Sequence, residues 1–157
     1  MTLNEAILPY QSLKHLPIVC AVSGGVDSVV LLHVLKSAGF NIVVAHINHQ
    51  LRDEAHEDEK FVETLAAAYG LPFEAKRVHI NHQTNIQNEG HQLRLSFYQE
   101  VARKYNAQHV FLAHHQDDQL EHFFIQIARG FSELAWKGMT PTSKINKIQL
   151  IRPLLQV

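Results

Sequence analysis

One cysteine, Cys20, is all the thiol chemistry in this 157-residue chain. That excludes a disulfide framework, and it argues against zinc or iron–sulfur centres that need several thiolates. Lying inside an apolar run, Cys20 reads as a small buried residue in keeping with a reducing compartment. Long apolar runs are missing too: none approaches the roughly 18 to 20 residues that span a bilayer, and no basic flank with an apolar core opens the chain. The expectation is a cytoplasmic protein with no membrane partner. Charge of one sign is also lacking, with 14 Lys and Arg against 15 Asp and Glu. Any nucleic-acid partner must therefore be sought in a local patch. What remains, 46% apolar residues in 157, suits one domain with a real core.

Apolar runs at 18–22, 42–47, 73–80, 108–113 and 148–155 read as strands, the last interrupted by Pro153. Helical periodicity lies between them: Val26 to Ala38, closed by Gly39; a stretch from the acids Asp53, Glu54, Glu57, Asp58 and Glu59 to Tyr69; Leu93 to Tyr105; and Leu120 to Phe131. A short helix broken at Pro9 is expected before the first strand, and loops at 81–88 and 132–147. The acids read as a solvated face. This alternation predicts an α/β fold: an open, mainly parallel five-stranded sheet with helices on both faces. Ligands of such sheets sit beyond the carboxyl ends of the strands. Three loops converge there, carrying Ser23 to Ser28, His46 to His49, and His114 to Asp118.

The first of these loops is Ser23-Gly24-Gly25-Val26-Asp27-Ser28. Two glycines let a ligand approach the backbone, and the helix start offers N–H groups, which together suit a phosphate. A plain strand-to-helix turn with Ser23 as cap is the competing reading. Asp27 would repel phosphate unless a divalent cation lay between them, which points to magnesium on Asp27. A Walker-type Lys-Ser/Thr pair and the third glycine of the dinucleotide fingerprint are both absent, so neither γ-phosphate hydrolysis nor hydride transfer is favoured.

The hexapeptide resembles the signature of the PP-loop, or N-type, ATP pyrophosphatases. Within that superfamily the chain is most similar to the tRNA(Ile)-lysidine synthetase family. The matching stretches are His46-Ile47-Asn48-His49 with Leu51-Arg52, Asn85 through Arg94, His114 through Glu121, Ala128-Arg129-Gly130 and Arg152-Pro153-Leu154-Leu155, spread over residues 18 to 155. The resemblance implies that ATP, with Mg2+, adenylylates C2 of the wobble cytidine of an isoleucine tRNA. Free lysine then attacks C2, giving lysidine, AMP and pyrophosphate. It implies nucleotide-binding roles for Ser23, Gly24, Gly25, Val26, Asp27, Ser28, His46, Asn48 and His115, and catalytic roles for Asp118, Glu121 and Arg94. It also implies that residues 1–157 are a single catalytic domain and that further tRNA-binding domains of the family lie outside this chain. A homodimer is one compatible assembly.

Asp118 and Glu121, three apart at a helix start, can hold and help deprotonate a cationic lysine or simply form an acidic cap. Arg94 among apolar helix positions is either an ion-pair partner or a cation for the departing pyrophosphate. Most histidines read as packing or surface. Lys137, Lys144, Lys147 and Arg152, with Trp136 among them, form a modest RNA patch or a solvated loop and edge strand. The chain departs from the family pattern at Gln50, where Gly is usual; at His91 and Leu95, where Arg and Tyr are usual; and at His122, where Thr is usual. Another acceptor chemistry, thiolation or amidation, a non-catalytic ATP-binding module, and a hydrolase with metal on His114, Asp117 and Asp118 are the alternatives.

Overall fold

The structure, a computed structural model, describes residues 1–50, 54–79, 86–114 and 140–157. The chain opens with α1 (Leu3–Ile7), a 3-10 helix (Leu8–His15) and β1 (Pro17–Ala21), followed by α2 (Val26–Ser37), β2 (Asn41–Asn48), α3 (Ala55–Ala68) and β3 (Phe73–Arg77). The order continues through α4 (Ile86–Lys104), β4 (His109–Phe111), β5 (Thr142–Ile145) and β6 (Ile148–Ile151) to a final 3-10 turn, Pro153–Gln156. The expected helix over Leu120 to Phe131 lies outside the described residues.

One sheet holds all six of these strands in the order β3-β2-β1-β4-β6-β5. It is parallel except for β5, which pairs antiparallel with β6. The chain builds outward from β1 through β2 to β3, then returns to place β4 on the other side of β1. The strand order therefore reverses between β1 and β4, the kind of place where open α/β sheets form a ligand crevice.

The strands are continuous apolar runs because both faces are covered. On one face, α1, α2 and α3 pack on Ile18, Cys20, Val22, Ile42, Val44 and Phe111; on the other, Phe97, Val101 and Ala102 of α4 pack on Val19, Ala21, Val43 and Val110. Odd and even positions of β1 thus feed two different cores. Helix α2 ends as expected, with Gly39 at φ +91° just past its C-cap. Among the described residues, no helix is long and apolar enough to cross a membrane.

Six strands replace the expected five. Thr142–Ile145, read in sequence as irregular, pairs with Ile148–Ile151 across a two-residue turn in which Asn146 takes φ +55°. Short polar strands flanking Asn-Lys give little periodicity but a turn that Asn accommodates. The last strand stops at Ile151 rather than Leu155, because Pro153 has no N–H for the ladder and a 3-10 turn follows. The loop expected through residue 88 yields to α4 from Ile86.

Phe111 is fully buried at the centre of the sheet, edge-on to Tyr10 at 5.7 Å and to Phe40 at 5.9 Å between ring centroids. Phe111→Ala is expected to cost about 3–5 kcal/mol, read as a lower urea midpoint at unchanged slope.

Candidate active site

Val22, the residue after β1, is held by β2 through both of its backbone groups. Its N–H donates to the Ala45 carbonyl at 2.9 Å, and its carbonyl accepts from Nδ1 of His46 at 2.8 Å. A carbonyl can only accept, so Nδ1 of the buried His46 carries a proton. With Val22 fixed, the chain turns sharply. Gly24 adopts φ +99°, whereas Gly25 sits at φ −70° and forms the N-cap of α2. The two glycines do different work: Gly24 is required by its conformation, and Gly25 keeps side-chain bulk off the helix start.

The serine hydroxyls shape this turn. Ser28 Oγ donates to the Gly25 carbonyl at 2.9 Å and accepts from the Ser23 N–H at 3.1 Å. Ser23 Oγ lies 3.2 Å from Ser28 Oγ and accepts from the Gly25 N–H at 3.2 Å. Since the single Ser28 proton goes to Gly25, Ser23 donates to Ser28. Both hydroxyls are thereby committed to the loop. Ser23 is not the helix cap: Gly25 takes that place and gives the start of α2 no side-chain cap, and a helix start of this kind suits an anion.

This turn forms one wall of a cleft of about 570 Å³ at the carboxyl edge of the sheet, within the roughly 300–1,000 Å³ usual for small-molecule sites. Ser23 to Ser28, His46, Asn48 and Arg94 all line it. Arg94 arrives from α4, which starts at this edge because β3 ends there. Asp118, Glu121 and His115 lie outside the described residues, as do Lys137 and Trp136.

Two polar lining residues escaped the sequence reading. Asp58, assigned there to a solvated face, lies in the first turn of α3 against Gly24: a Cβ on Gly24 would stand 3.4 Å from the Asp58 Cβ. A four-residue acidic periodicity cannot say which acid meets a neighbouring loop. The other is Tyr98, one helical turn beyond Arg94.

Asn48 lines the cleft, but its side chain is occupied. Its Oδ1 accepts from the Gln50 N–H at 3.0 Å, and its Nδ2 donates to Glu59 Oε1 at 3.2 Å and to His56 Nδ1 at 3.0 Å. Glu59 in turn takes two bonds from Arg77, at 3.0 and 3.2 Å. This chain ties the end of β2 to the first turn of α3. Asn48, expected to contact a nucleotide, lines the cleft while its side chain braces this junction. Arg152 likewise leaves the expected RNA patch. Its guanidinium bonds the Thr140 carbonyl and Ser143 Oγ at 3.2 and 2.9 Å, and burial lowers its pKa. Lys144 and Lys147 stay exposed on the hairpin. His33, read with most histidines as packing or surface, is exposed and bonds the Tyr69 hydroxyl at 3.0 Å. Among the described residues no three His, Cys, Asp or Glu side chains are grouped to hold a metal ion.

A glycine turn backed by an uncapped helix, with a carboxylate in its first turn and no P-loop lysine, is the arrangement that the PP-loop resemblance implies. Residues 2–157 match the PP-loop domain family. The chain belongs to that family. It is 36% identical over 146 residues to the bifunctional protein TilS/HprT of Listeria monocytogenes, covering 87% of this chain and 22% of the relative. It is 38% identical over 154 residues to the tRNA(Ile)-lysidine synthase of Bacillus cereus, covering 92% and 32%. The chain thus spans about a third or less of the curated relatives' length. In fold, the U34-tRNA thiolase NcsA of Methanococcus maripaludis superposes with a TM-score of 0.77 at 14% identity, over 98% of this chain and 57% of that one.

Within this PP-loop domain the glycine turn tolerates little. Gly24→Ala puts an L residue at φ +99°, at a cost of about 1–3 kcal/mol. Calorimetry is expected to show at least tenfold weaker ATP binding in a protein that still melts cooperatively. The brace is testable by pH. The bonds from Arg77, aided by Asn48 and opposed by partial burial, hold the Glu59 carboxyl below its ordinary 4.5. A depressed pKa stabilises the fold above the unfolded value, and the contribution is lost as pH falls through the folded one. Glu59→Gln should therefore lower Tm at neutral pH, with the gap to wild type closing as pH drops below 4.5.

Proposed function

We propose that residues 1–157 form the catalytic PP-loop domain of a tRNA(Ile)-lysidine synthetase, joining lysine to C2 of the wobble cytidine of an isoleucine tRNA at the expense of ATP. The observation that carries this reading is the cleft itself: anion-binding N–H groups, the carboxylates Asp27 and Asp58, and the cation Arg94 face one space. The names of the curated relatives support the choice of acceptor.

In the first step the C2 oxygen of cytidine attacks the α-phosphorus of ATP, an O–P bond forms, and pyrophosphate leaves. The turn at Ser23 to Ser28 receives the pyrophosphate on backbone N–H groups, and Arg94 offsets the charge that develops on it. Carboxylates beside an anion site fit a divalent cation, and Asp27 would hold Mg2+ here; when bound, it neutralises phosphate charge. In the second step the lysine Nε attacks C2, the C–N bond forms, and the C–O bond to AMP breaks. Asp118 and Glu121 hold the lysine ammonium and take its proton. Such a tRNA substrate places the reaction in the cytoplasm.

Thiolation, the activity named for the structural neighbour, suits this chain poorly. The single thiol, Cys20, is fully buried in the core and its pKa is pushed up to about 12 by burial. It cannot present a thiolate to a cluster.

Incubation with ATP, lysine and an isoleucine tRNA bearing a wobble cytidine, followed by mass spectrometry of the anticodon loop, is expected to show lysidine in place of that cytidine. Asp118→Ala should reduce turnover at least about 100-fold while leaving ATP binding in place. Unmodified tRNA, or an Asp118→Ala variant with full turnover, counts against the scheme.

A further inference from the structure

Helix α4 presents more than Arg94 to the cleft. Arg94 and Tyr98 are four residues apart, hence on one face of the helix, and both line the space opened by the glycine turn. The Tyr98 ring packs on Phe97, with ring centroids 6.2 Å apart, and on the core formed with Val19, Ala21 and Leu112. The aromatic body is therefore anchored, and the residue lines the same cleft as Leu112 and Ala113, which follow β4. A phenol at such a place brings one O–H donor on a rigid arm and no charge.

We propose that Tyr98 is a ligand-binding residue of the nucleotide site, its hydroxyl donating, beside the Arg94 guanidinium, to a phosphoryl oxygen of ATP on the side of the cleft opposite the glycine turn. This rests on the reading of the cleft as the ATP site. A triphosphate carries more negative oxygens than one loop of N–H groups can meet, and Arg94 makes the α4 wall the complementary side. The hydroxyl stays protonated through the working range. Burial pushes its pKa up to about 12, with Arg94 opposing, so it acts as a donor at neutral pH. A phosphate of the tRNA backbone is the other source of the same chemistry. The nucleotide is favoured because Tyr98 shares its cavity with the PP-loop turn.

Tyr98→Phe keeps the anchored ring and removes only the hydroxyl. Calorimetry with Mg-ATP is expected to show roughly tenfold or greater loss of affinity, the effect of a lost hydrogen bond to a charged group. Adenosine, which lacks phosphates, should bind wild type and variant alike. Arg94→Gln combined with Tyr98→Phe should lose less than the sum of the single changes, because the two donors share one anion. Unchanged ATP affinity in Tyr98→Phe overturns the proposal. So does an equal loss for adenosine, which would assign Tyr98 to the base, or weakened tRNA binding with ATP binding intact. The nucleotide titrations need neither lysine nor tRNA, so a failure to form lysidine leaves them readable. A wild-type chain that binds no ATP would sink the nucleotide-site reading together with this one.

Discussion

The site depends on the way β2 grips Val22. A residue following a strand could leave the sheet in many directions, but here its N–H is bound by Ala45 and its carbonyl by the ring of His46. The chain therefore departs from β1 at a set height and angle. Everything downstream inherits that placement: the left-handed Gly24, the bare N-cap at Gly25, and the direction in which α2 aims its first N–H groups. Because Ala45 and His46 are adjacent on a strand whose pairing with β1 runs from Asn41 to Ala45, the grip is as firm as the register itself. A one-residue slip of β2 would move His46 off Val22 and invert both cores at once.

Most polar side chains near the cleft maintain its shape, leaving the backbone to meet the ligand. Ser23 and Ser28 are committed to the glycine turn, Asn48 to Glu59, His56 and Gln50, and Glu59 to Arg77. Such a site is preorganised: its donors are already aimed, and little reordering is needed when the anion arrives. The charges are then divided by element. Carboxylates come from the starts of α2 and α3, and the cation comes from α4. Two carboxylates facing an anion site disfavour bare phosphate. Under the proposed scheme this arrangement would favour a metal-complexed nucleotide over a free one.

The sequence makes the parallel sheet, the glycine turn and the convergence of Ser23 to Ser28, His46 to His49 and His114 on one edge legible, because each has a strong local signature. Apolar runs, a Gly-Gly after a strand and a cation among apolar helix positions all survive translation into structure. What it hides is long-range pairing. Nothing local says that the Asn48 side chain will meet Glu59, that Asp58 will lie against Gly24, or that Arg152 will turn back on its own hairpin. The β5 strand is hidden for the converse reason. Of its four residues Thr142 to Lys144 are polar, Ile145 alone is apolar and none is fully buried, so alternation is weak and the pairing is defined by the turn at Asn146.

Gln50 shows why a departure from a family pattern is not yet a change of role. The position takes φ +57°, a conformation in which glycine is at ease and most side chains are strained by about 1–2 kcal/mol. Here the strain is met locally. The Gln50 N–H is taken up by Asn48 Oδ1 in an Asx-type turn, and its side-chain amide donates to the Val78 carbonyl at 3.1 Å. Each bond is worth on the order of 1 kcal/mol, enough together to offset the torsional cost. The Val78 bond also adds a tie across to the chain leaving β3, which a glycine could not make. Gln50 therefore holds a left-handed backbone without being glycine, its conformation secured by Asn48 on one side and Val78 on the other.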